Sequence, residues 1–469
     1  MSQWPLASHA QSSPGPRMAK TLESPVGDQV LTPEDLKRSD DRRRVLSARR
    51  GGRRFGLLWL LVGPGVLAML GENDGPSMLS YAASGATYGI GFFLPFIAVS
   101  FLAATVVQEM AMRVGAVTHR GYGELLFQRF GRFWGWVSVV DLVVTNIVTL
   151  ITELIAIRVG AGFFGVPPIF AVIAGLALVA FSIAGGRYWS WERAALALAG
   201  FNLLFLLAAL LSHPDPAAIG SAFLTWGPLP HGSLQLFLLI LASNIGATVT
   251  PWMIFFQQSA VVDKGMTPKD IPQGRTDTFL GAVLAAAAGC GALVVASVLY
   301  VHHVDSSSLQ GGAGFAEALR PFTGYPIAAL FALGLIEAGA LATMTVSAST
   351  AYALGEAISG PHSFNRRIAD APLFYSFNVG IAVVAAVVVL IPGAPLLAIT
   401  LNANLLATVL MPAALVFLVM LANDRELMGP RVNPRWLNIV AGVIAFLVGL
   451  AGTSYAVVAA YTAFTGHTI

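Results

Sequence analysis

Two carboxylates interrupt the first apolar stretch of the chain. Residues 71–77 read GENDGPS and separate the apolar runs 55–70 and 78–91. Glycine and proline break the hydrogen-bond ladder of a helix. The carbonyls that they free, and the carboxylates of Glu72 and Asp74, cannot be satisfied by hydrocarbon and must face the protein interior. A broken helix with acidic residues at mid-membrane depth is typical of cation sites.

A second break supplies further oxygen donors. Residues 242–259 read ASNIGATVTPWMIFFQQS, with glycine, threonine and proline in the middle of an apolar segment. We expect the two breaks to form one cation site. The predicted ligands are the carboxylates of Asp74 and Glu72, the hydroxyls of Ser77 and Thr250, the carbonyls around Ala247 and Thr250, and Asn404. An all-oxygen ligand set suits Mg²⁺, Ca²⁺ and Mn²⁺.

Composition and hydropathy indicate that these donors belong to a polytopic membrane protein. Of the 469 residues, 56% are hydrophobic and 11% are charged, and the mean hydropathy is +0.72. A soluble protein of this size could not bury so much apolar surface. We predict an all-α protein with eleven spans, at 55–87, 89–112, 133–163, 167–184, 190–212, 234–262, 277–301, 325–357, 372–392, 396–421 and 437–461.

Loop charges predict the orientation in the membrane. If the N-terminus is cytoplasmic, the cytoplasmic loops together with the first residues of the fifth span carry 14 lysine and arginine residues, and the opposite loops and the C-terminal end carry Arg320 alone. This asymmetry predicts a cytoplasmic N-terminus and an outside C-terminus. We expect an integral protein of a bacterial-type inner (plasma) membrane. Residues 1–54 are polar and basic, which predicts a disordered cytoplasmic tail.

The spacing of the two breaks predicts the domain organisation. They fall in the first and sixth spans, five segments apart, and paired interrupted segments are typical of inverted-repeat transporters with a midplane site. We therefore predict repeat 1 over 55–212 (helices 1–5), repeat 2 over 234–421 (helices 6–10) and an appended eleventh helix at 437–461.

Several classes of function are excluded or disfavoured. The chain has no GxxxxGK[ST] phosphate-binding loop, and the spans carry no catalytic Ser/His/Asp or zinc-ligand spacing, so we expect neither an enzyme nor a cofactor. None of the eight histidines falls in the middle of a span, which excludes an imidazole proton relay. The expected partners are a divalent metal ion and membrane lipids, and no nucleic acid. The oligomeric state is left open, and a monomer is compatible with the sequence.

The stretch QEMAMRVGAVTHRGYGELL at 108–126 is the most specific of several that resemble the Nramp family of divalent-metal transporters. GPGVLAML at 63–70 precedes it, and TNIVTLITELIA at 145–156, GATVTPWMIFFQQS at 246–259, NDRELMG at 423–429 and VNPRW at 432–436 follow in the family's order. The likeness, from about residue 55 to 440, implies a leucine-transporter-like inverted-repeat fold (5+5 helices), alternating access and a metal site at the breaks of helices 1 and 6.

The chain departs from the family at the metal ligands. The family's first-helix motif DPGN reads DGPS here, so Asp74 carries over as a ligand and Ser77 replaces the family's asparagine. The sixth-helix motif MPH reads Thr250-Pro251-Trp252. The methionine thioether, which favours transition metals over Ca²⁺ and Mg²⁺, is therefore missing, and Glu72 adds an acid where the family usually has an aromatic or apolar residue.

Positions that carry protons in the family are also changed. The third-helix aspartate falls at Leu150 while its glutamate is kept as Glu153, the second histidine falls at Gln257, and the tenth-helix glutamine falls at Asn404. These changes resemble the divergent branch called Nramp-related magnesium transporters, in which Mg²⁺ and Mn²⁺ are thought to be carried with much of their hydration and without proton coupling. Glu153, Gln257 and Trp252 would act in proton movement or in supporting the ligands.

Four functions remain in comparison. The first is a secondary importer of divalent cations, with Mg²⁺ as the main substrate and Mn²⁺ also carried, that works by alternating access without protons. The alternative is a proton-coupled Mn²⁺/Fe²⁺ importer. An amino-acid symporter ranks lower, since Asp74 and Glu72 would repel a substrate carboxylate. A metal sensor that does not transport is disfavoured by the short loops and the absence of a large soluble domain.

Overall fold

A computed structural model describes residues 62–183, 187–227, 233–304, 314–391 and 396–465, together with positions 43, 47, 51, 60 and 229. Within these ranges the regular structure is entirely helical. The predicted tail, 1–54, lies outside the described residues except for positions 43, 47 and 51.

Between residues 62 and 227, the part of the chain that the structure describes contains eight α-helices. They are α1 (Pro64–Glu72), α2 (Gly75–Tyr88), α3 (Phe93–Thr118), α4 (Tyr122–Phe163), α5 (Pro168–Ser182), α6 (Tyr188–Ala199), α7 (Leu204–Leu211) and α8 (Pro216–Thr225), with a 3₁₀ turn, Gly200–Leu203, joining α6 to α7. Gly131 (φ 83°) bends α4, so a short helix precedes the third predicted span instead of a loop.

The described residues from 233 to 465 contain nine α-helices. They are α9 (Leu234–Gly246), α10 (Pro251–Asp263), α11 (Ile271–Val301), α12 (Gly314–Thr323), α13 (Tyr325–Ala357), α14 (Pro372–Val389), α15 (Leu396–Asn423), α16 (Arg425–Met428) and α17 (Arg435–Thr465). Short 3₁₀ turns occupy Ile368–Asp370 and Gly429–Arg431.

The predicted spans correspond to this helix order. Nine segments of the described chain are long and apolar enough to cross a membrane, counting α6 with α7 and α9 with α10 as one segment each. The remaining two predicted spans are α5, which has 15 residues, and the first span, which is divided into α1 and α2. The first and sixth predicted spans are both broken where the glycine and proline positions predict, and the fifth also contains the short 3₁₀ turn Gly200–Leu203.

Small residues allow the helices to approach closely around the breaks. A Cβ on Gly246 would lie 1.9 Å from the carbonyl oxygen of Asn404, so the absence of a side chain allows α9 to pack closely against α15. A Cβ on Gly85 would lie 2.2 Å from the carbonyl oxygen of Leu293, so this glycine likewise allows α2 to pack closely against α11. Close backbone approach through small residues is how membrane helices pack without a hydrophobic driving force. Long helices α4 and α13 pack against each other and support the two broken segments.

Candidate metal-binding site

Four helix ends meet at the two breaks. The C-terminus of α1 faces the N-terminus of α2 across Asn73 and Asp74, and the C-terminus of α9 faces the N-terminus of α10 across residues 247–250. Proline in the first turn of α2 and of α10 sets these starts, because proline has no amide hydrogen to lose there. The negative ends of α1 and α9 favour a cation, and the positive ends of α2 and α10 favour carboxylates.

Asp74 caps α2 and is almost fully buried. Its backbone is extended (φ −76°, ψ 176°), its side chain is 2% exposed, and its Oδ1 accepts a 2.8 Å hydrogen bond from the amide of Ser77. Glu153 of α4 reaches the same helix end, where its Oε2 accepts a 2.9 Å hydrogen bond from the amide of Gly75. The start of α2 therefore stabilises two carboxylates that have been removed from water.

Glu72 joins the two breaks. It is the last residue of α1 and is fully buried, and its Oε2 accepts a 2.7 Å hydrogen bond from the hydroxyl of Thr250, at the start of α10. Its Oε1 has no hydrogen-bond partner in the described part of the chain. A buried carboxylate oxygen without a donor is costly unless a cation, a proton or a water satisfies it.

The site presents acceptors and lacks a protein cation. Within the described ranges, Glu153 Oε1 and Ser77 Oγ are also without partners, and neither Glu72, Asp74 nor Glu153 forms an ion pair. A search of all described residues finds no group of three or more His, Cys, Asp or Glu side chains that could hold a metal ion by themselves. An ion bound here would therefore need backbone, hydroxyl or water oxygens to complete its coordination, as Mg²⁺ commonly does.

Ala247 and Asn404 lie at the end of α9. The carbonyl of Ala247 accepts a 2.5 Å hydrogen bond from the hydroxyl of Tyr81, which leaves it one lone pair for another partner. The backbone of Asn404 packs on Gly246, and its Nδ2 is buried without a partner among the described residues. Both residues are thus near the second break, as expected, although Tyr81 already occupies one side of the Ala247 carbonyl.

Trp252 and Gln257 have supporting positions. The fully buried ring of Trp252 packs on Gly71, with Cη2 3.1 Å from where a Cβ of that glycine would be. Gln257 donates a 2.9 Å hydrogen bond to Thr278 of α11, and Thr278 lies against Gly65 near the start of α1. Gly65 precedes Glu72 by about two helical turns, roughly 10 Å. Gln257 is accordingly displaced along the bundle from the carboxylates.

A polar chain that sequence reasoning missed holds the first break in place. Asn73 donates to the side-chain oxygen of Asn202 (2.9 Å) and to the carbonyl of Ala285 (2.8 Å). Asn202 in turn donates to the carbonyl of Asn73 (3.2 Å) and to Glu337 (3.3 Å). An amide in the apolar segment 190–212 was the one available signal for Asn202. This hydrogen-bond network connects the α1–α2 break to α11, to α13 and to the 3₁₀ turn after α6.

Comparison with known proteins places the chain in context. A sequence model described as natural resistance-associated macrophage protein-like (Nramp) matches residues 65–458. A Mycobacterium tuberculosis protein named divalent metal cation transporter MntH is 26% identical over 415 residues, which cover 84% of this chain and 90% of the relative.

Solved structures share the fold. A crystal structure of the Eremococcus coleocola manganese transporter has a TM-score of 0.70 at 19% identity, covering 85% of this chain and 86% of that one. A structure of MhsT in complex with L-phenylalanine has a TM-score of 0.54 at 13% identity, covering 84% and 97%. The predicted all-helical, leucine-transporter-like fold is confirmed.

Proposed function

Since this chain belongs to the natural resistance-associated macrophage protein-like (Nramp) family, we propose that it is a divalent metal cation transporter whose main substrate is Mg²⁺, with Mn²⁺ also carried. The observation that supports this most is the pair of buried carboxylates, Glu72 and Asp74, at a helix break where the described residues offer no cationic side chain. A divalent cation is the electrostatic complement of such a pair.

The chemistry of the donors supports a hard ion. The oxygen atoms that line the two breaks come from carboxylates, hydroxyls and carbonyls, and Thr250 stands where the family has a methionine thioether. Hard oxygen ligands select Mg²⁺, Ca²⁺ and Mn²⁺, while thioether and imidazole select softer metals. With two carboxylates and few neutral donors, the ion keeps several of its waters, which suits the reluctance of Mg²⁺ to dehydrate.

The two helix breaks support alternating access. Glu72 of α1 is hydrogen-bonded to Thr250 of α10, and Asp74 and Glu153 share the start of α2. An ion that enters between the breaks would be coordinated by Glu72 Oε1 and Asp74. Its binding would therefore change the contact between Glu72 of the first broken segment and Thr250 of the second. Rocking of one repeat against the other about this contact would open the site to each side in turn.

The membrane potential supplies enough energy for uptake without protons. Moving two charges across roughly 100 mV releases about 4.6 kcal/mol, which supports accumulation of about three orders of magnitude. Uptake of Mg²⁺ would thus be electrogenic and would leave the luminal pH unchanged.

A matched pair of variants tests the assignment of Asp74. Asp74 and Asp215 both cap a helix that has proline in its first turn, but Asp215 is at the exposed start of α8. In proteoliposomes with an inside-negative potential, Asp74→Asn should abolish Mg²⁺ uptake, since the amide removes a negative charge from the site. Asp215→Asn should transport like the unmodified protein. Near-normal flux in Asp74→Asn would remove the central residue from the proposal.

A second candidate function, proton-coupled transport of Mn²⁺ or Fe²⁺, is favoured by one observation. Glu153 lies at the same helix end as Asp74, and its Oε1 has no partner within the described ranges, so it is placed to exchange a proton with the site. Metal uptake that changes the luminal pH in step with the flux would favour this candidate over the uncoupled one.

A further inference from the structure

A cavity of about 780 Å³ opens between α3, α11 and the start of α17. On α11, its residue Arg275 is ten residues, roughly 15 Å, before Ala285, which contacts Asn73 at the first break. The cavity lining combines basic side chains with apolar ones. The basic residues are Arg113, Arg275 and Arg431, with Glu109 beside them, and the apolar ones include Leu102, Phe279 and Trp436. The cavity lies at the end of the bundle that the loop charges predict to be cytoplasmic.

Glu109 and Arg113 form the rigid base of this cavity. Glu109 pairs with Arg113 (3.0 Å) and with Arg275 (2.9 Å), and the side chain of Arg113 is only 4% exposed. Arg113 also donates to the backbone carbonyl of Arg431 and to the side chain of Asn433, both at 2.5 Å. Arg113 is therefore fully engaged, and it fixes the loop that carries Arg431.

Two guanidinium groups remain available to a ligand. The side chain of Arg275 is 58% exposed, and among the described residues it forms an ion pair with Glu109 alone. Arg431 is exposed, and its guanidinium has no ion pair with any residue that the structure describes. The four charged residues sum to about two positive charges at neutral pH. Two arginines that line one cavity offer several N–H donors, which suit the oxygen atoms of a phosphate group.

The apolar wall below the arginines faces the same space. Leu102, Phe279 and Trp436 are 53%, 52% and 61% exposed, which is expected of residues that contact acyl chains. Tryptophan is enriched at the boundary between headgroups and acyl chains. A ligand that satisfies both parts of the cavity has an anionic phosphate head and an apolar tail, and basic pockets between membrane helices on the cytoplasmic side recognise such lipids.

We propose that this cavity, lined by Arg275 and Arg431 above Leu102, Phe279 and Trp436, is a binding site for one anionic phospholipid. The phosphate would lie between the two guanidinium groups, and an acyl chain would follow the apolar wall of α3 and α11. Because α11 also packs on α1 and α2, an occupied site braces the support of the first break.

Lipid retention by the purified full-length protein tests this proposal. The protein is delipidated in neutral detergent and titrated with dioleoyl phosphatidylglycerol, and bound lipid is counted by native mass spectrometry. Parallel titrations use dioleoyl phosphatidylcholine, which lacks the net charge, and inorganic phosphate, which lacks the tail. We expect phosphatidylglycerol to bind as one tight copy, phosphatidylcholine to bind more weakly, and inorganic phosphate not to compete at equal concentration.

A charge-matched control separates the cavity from general surface charge. A lysine or arginine near anionic lipid contributes about 1 kcal/mol, or about fivefold in affinity, so Arg275→Gln/Arg431→Gln should weaken phosphatidylglycerol binding by about 30-fold. Arg367→Gln/Arg425→Gln removes two exposed arginines outside the cavity and should leave the tight copy intact. Arg275→Lys/Arg431→Lys keeps the charge but removes the planar guanidinium groups, so its binding of phosphatidylglycerol should lie between that of the unmodified protein and that of the glutamine variant. A single symmetric peak in size-exclusion chromatography verifies that each variant folds.

Three outcomes would overturn the proposal. Equal retention of phosphatidylglycerol and phosphatidylcholine would mean that the arginines do not recognise the headgroup charge. An equal loss in the control variant would assign the effect to the overall surface potential. Competition by inorganic phosphate at matched concentration would show a free-phosphate pocket without a role for the acyl chain.

Discussion

Lys264 and Glu192 form a buried ion pair that holds the beginning of the first broken helix. The Lys264 Nζ lies 2.9 and 2.8 Å from the two carboxylate oxygens of Glu192, and both side chains are fully buried. The same Nζ donates a 2.9 Å hydrogen bond to the carbonyl of Val62, just before α1. Asp277 completes the anchor, because its carboxylate accepts hydrogen bonds from the first amides of that helix.

Lys264→Met should destabilise the protein strongly. Methionine matches the length of lysine but leaves the Glu192 carboxylate buried without a cation and the Val62 carbonyl without its donor. Removing one partner of a buried pair costs about 3–5 kcal/mol, far above the roughly 0.5 kcal/mol of an exposed substitution. Reversible unfolding by sodium dodecyl sulfate in mixed micelles would measure the loss, with Arg367→Met as the exposed control.

The double variant Lys264→Met/Glu192→Met isolates the electrostatic part. With both charges removed, no uncompensated carboxylate remains, and we expect the second substitution to recover about half of the stability that the first one removes. If the losses of stability in the single variants Lys264→Met and Glu192→Met simply add in the double variant, the two side chains do not couple. The assignment of Lys264 and Glu192 as the anchor of α1 would then be refuted.

Two further variants examine the site itself. Thr250→Met introduces a thioether beside Glu72 and removes the hydroxyl that donates to it. We expect the uptake of Mn²⁺ and Cd²⁺ to rise relative to that of Mg²⁺. An unchanged ratio would argue against the proposal that the oxygen donors select a hard ion. Gly75→Ala should abolish transport and lower expression, because its Cβ would lie 2.2 Å from the Cβ of Ala156 on α4. Ala156→Gly in the same chain should restore part of the flux, and failure to do so would place the defect elsewhere.

The sequence predicts the breaks well because their causes are local. Proline at the starts of α2 and α10 and an aspartate that caps α2 act on neighbouring residues, so reading 71–77 and 242–259 is sufficient to locate both interruptions. The same applies to the order of the spans, which follows from apolar length. The limits of single helices are less well predicted, since a helical stretch that begins at Tyr122 precedes the bend at Gly131.

Contacts between distant segments could not be read from the chain. Gln257 carries an amide at a plausible helical spacing from the break, yet it bonds to Thr278, 21 residues away in another helix. The carbonyl of Ala247 is freed by the break as expected, but Tyr81 occupies one of its lone pairs from α2. Such pairings depend on how the helices rotate against one another, which periodicity alone does not determine.

Glu72 and Thr250 are an example of residues that the sequence predicts individually but whose contact it does not predict. Each residue was predicted as a ligand from its own break, and the structure joins them by a hydrogen bond over 178 residues of chain. Their proximity therefore supports one site shared by both breaks, in which the threonine hydroxyl donates to the carboxylate.

Simultaneous recording of Mg²⁺ and luminal pH in proteoliposomes is the most direct test of the central claim. The unmodified protein is reconstituted with a luminal Mg²⁺ indicator and a pH indicator, and uptake is driven by a potassium-diffusion potential without a pH gradient. We predict Mg²⁺ entry that scales with the potential while the luminal pH stays constant. No Mg²⁺ entry under these conditions, or entry accompanied by a proportional pH change, would contradict the account.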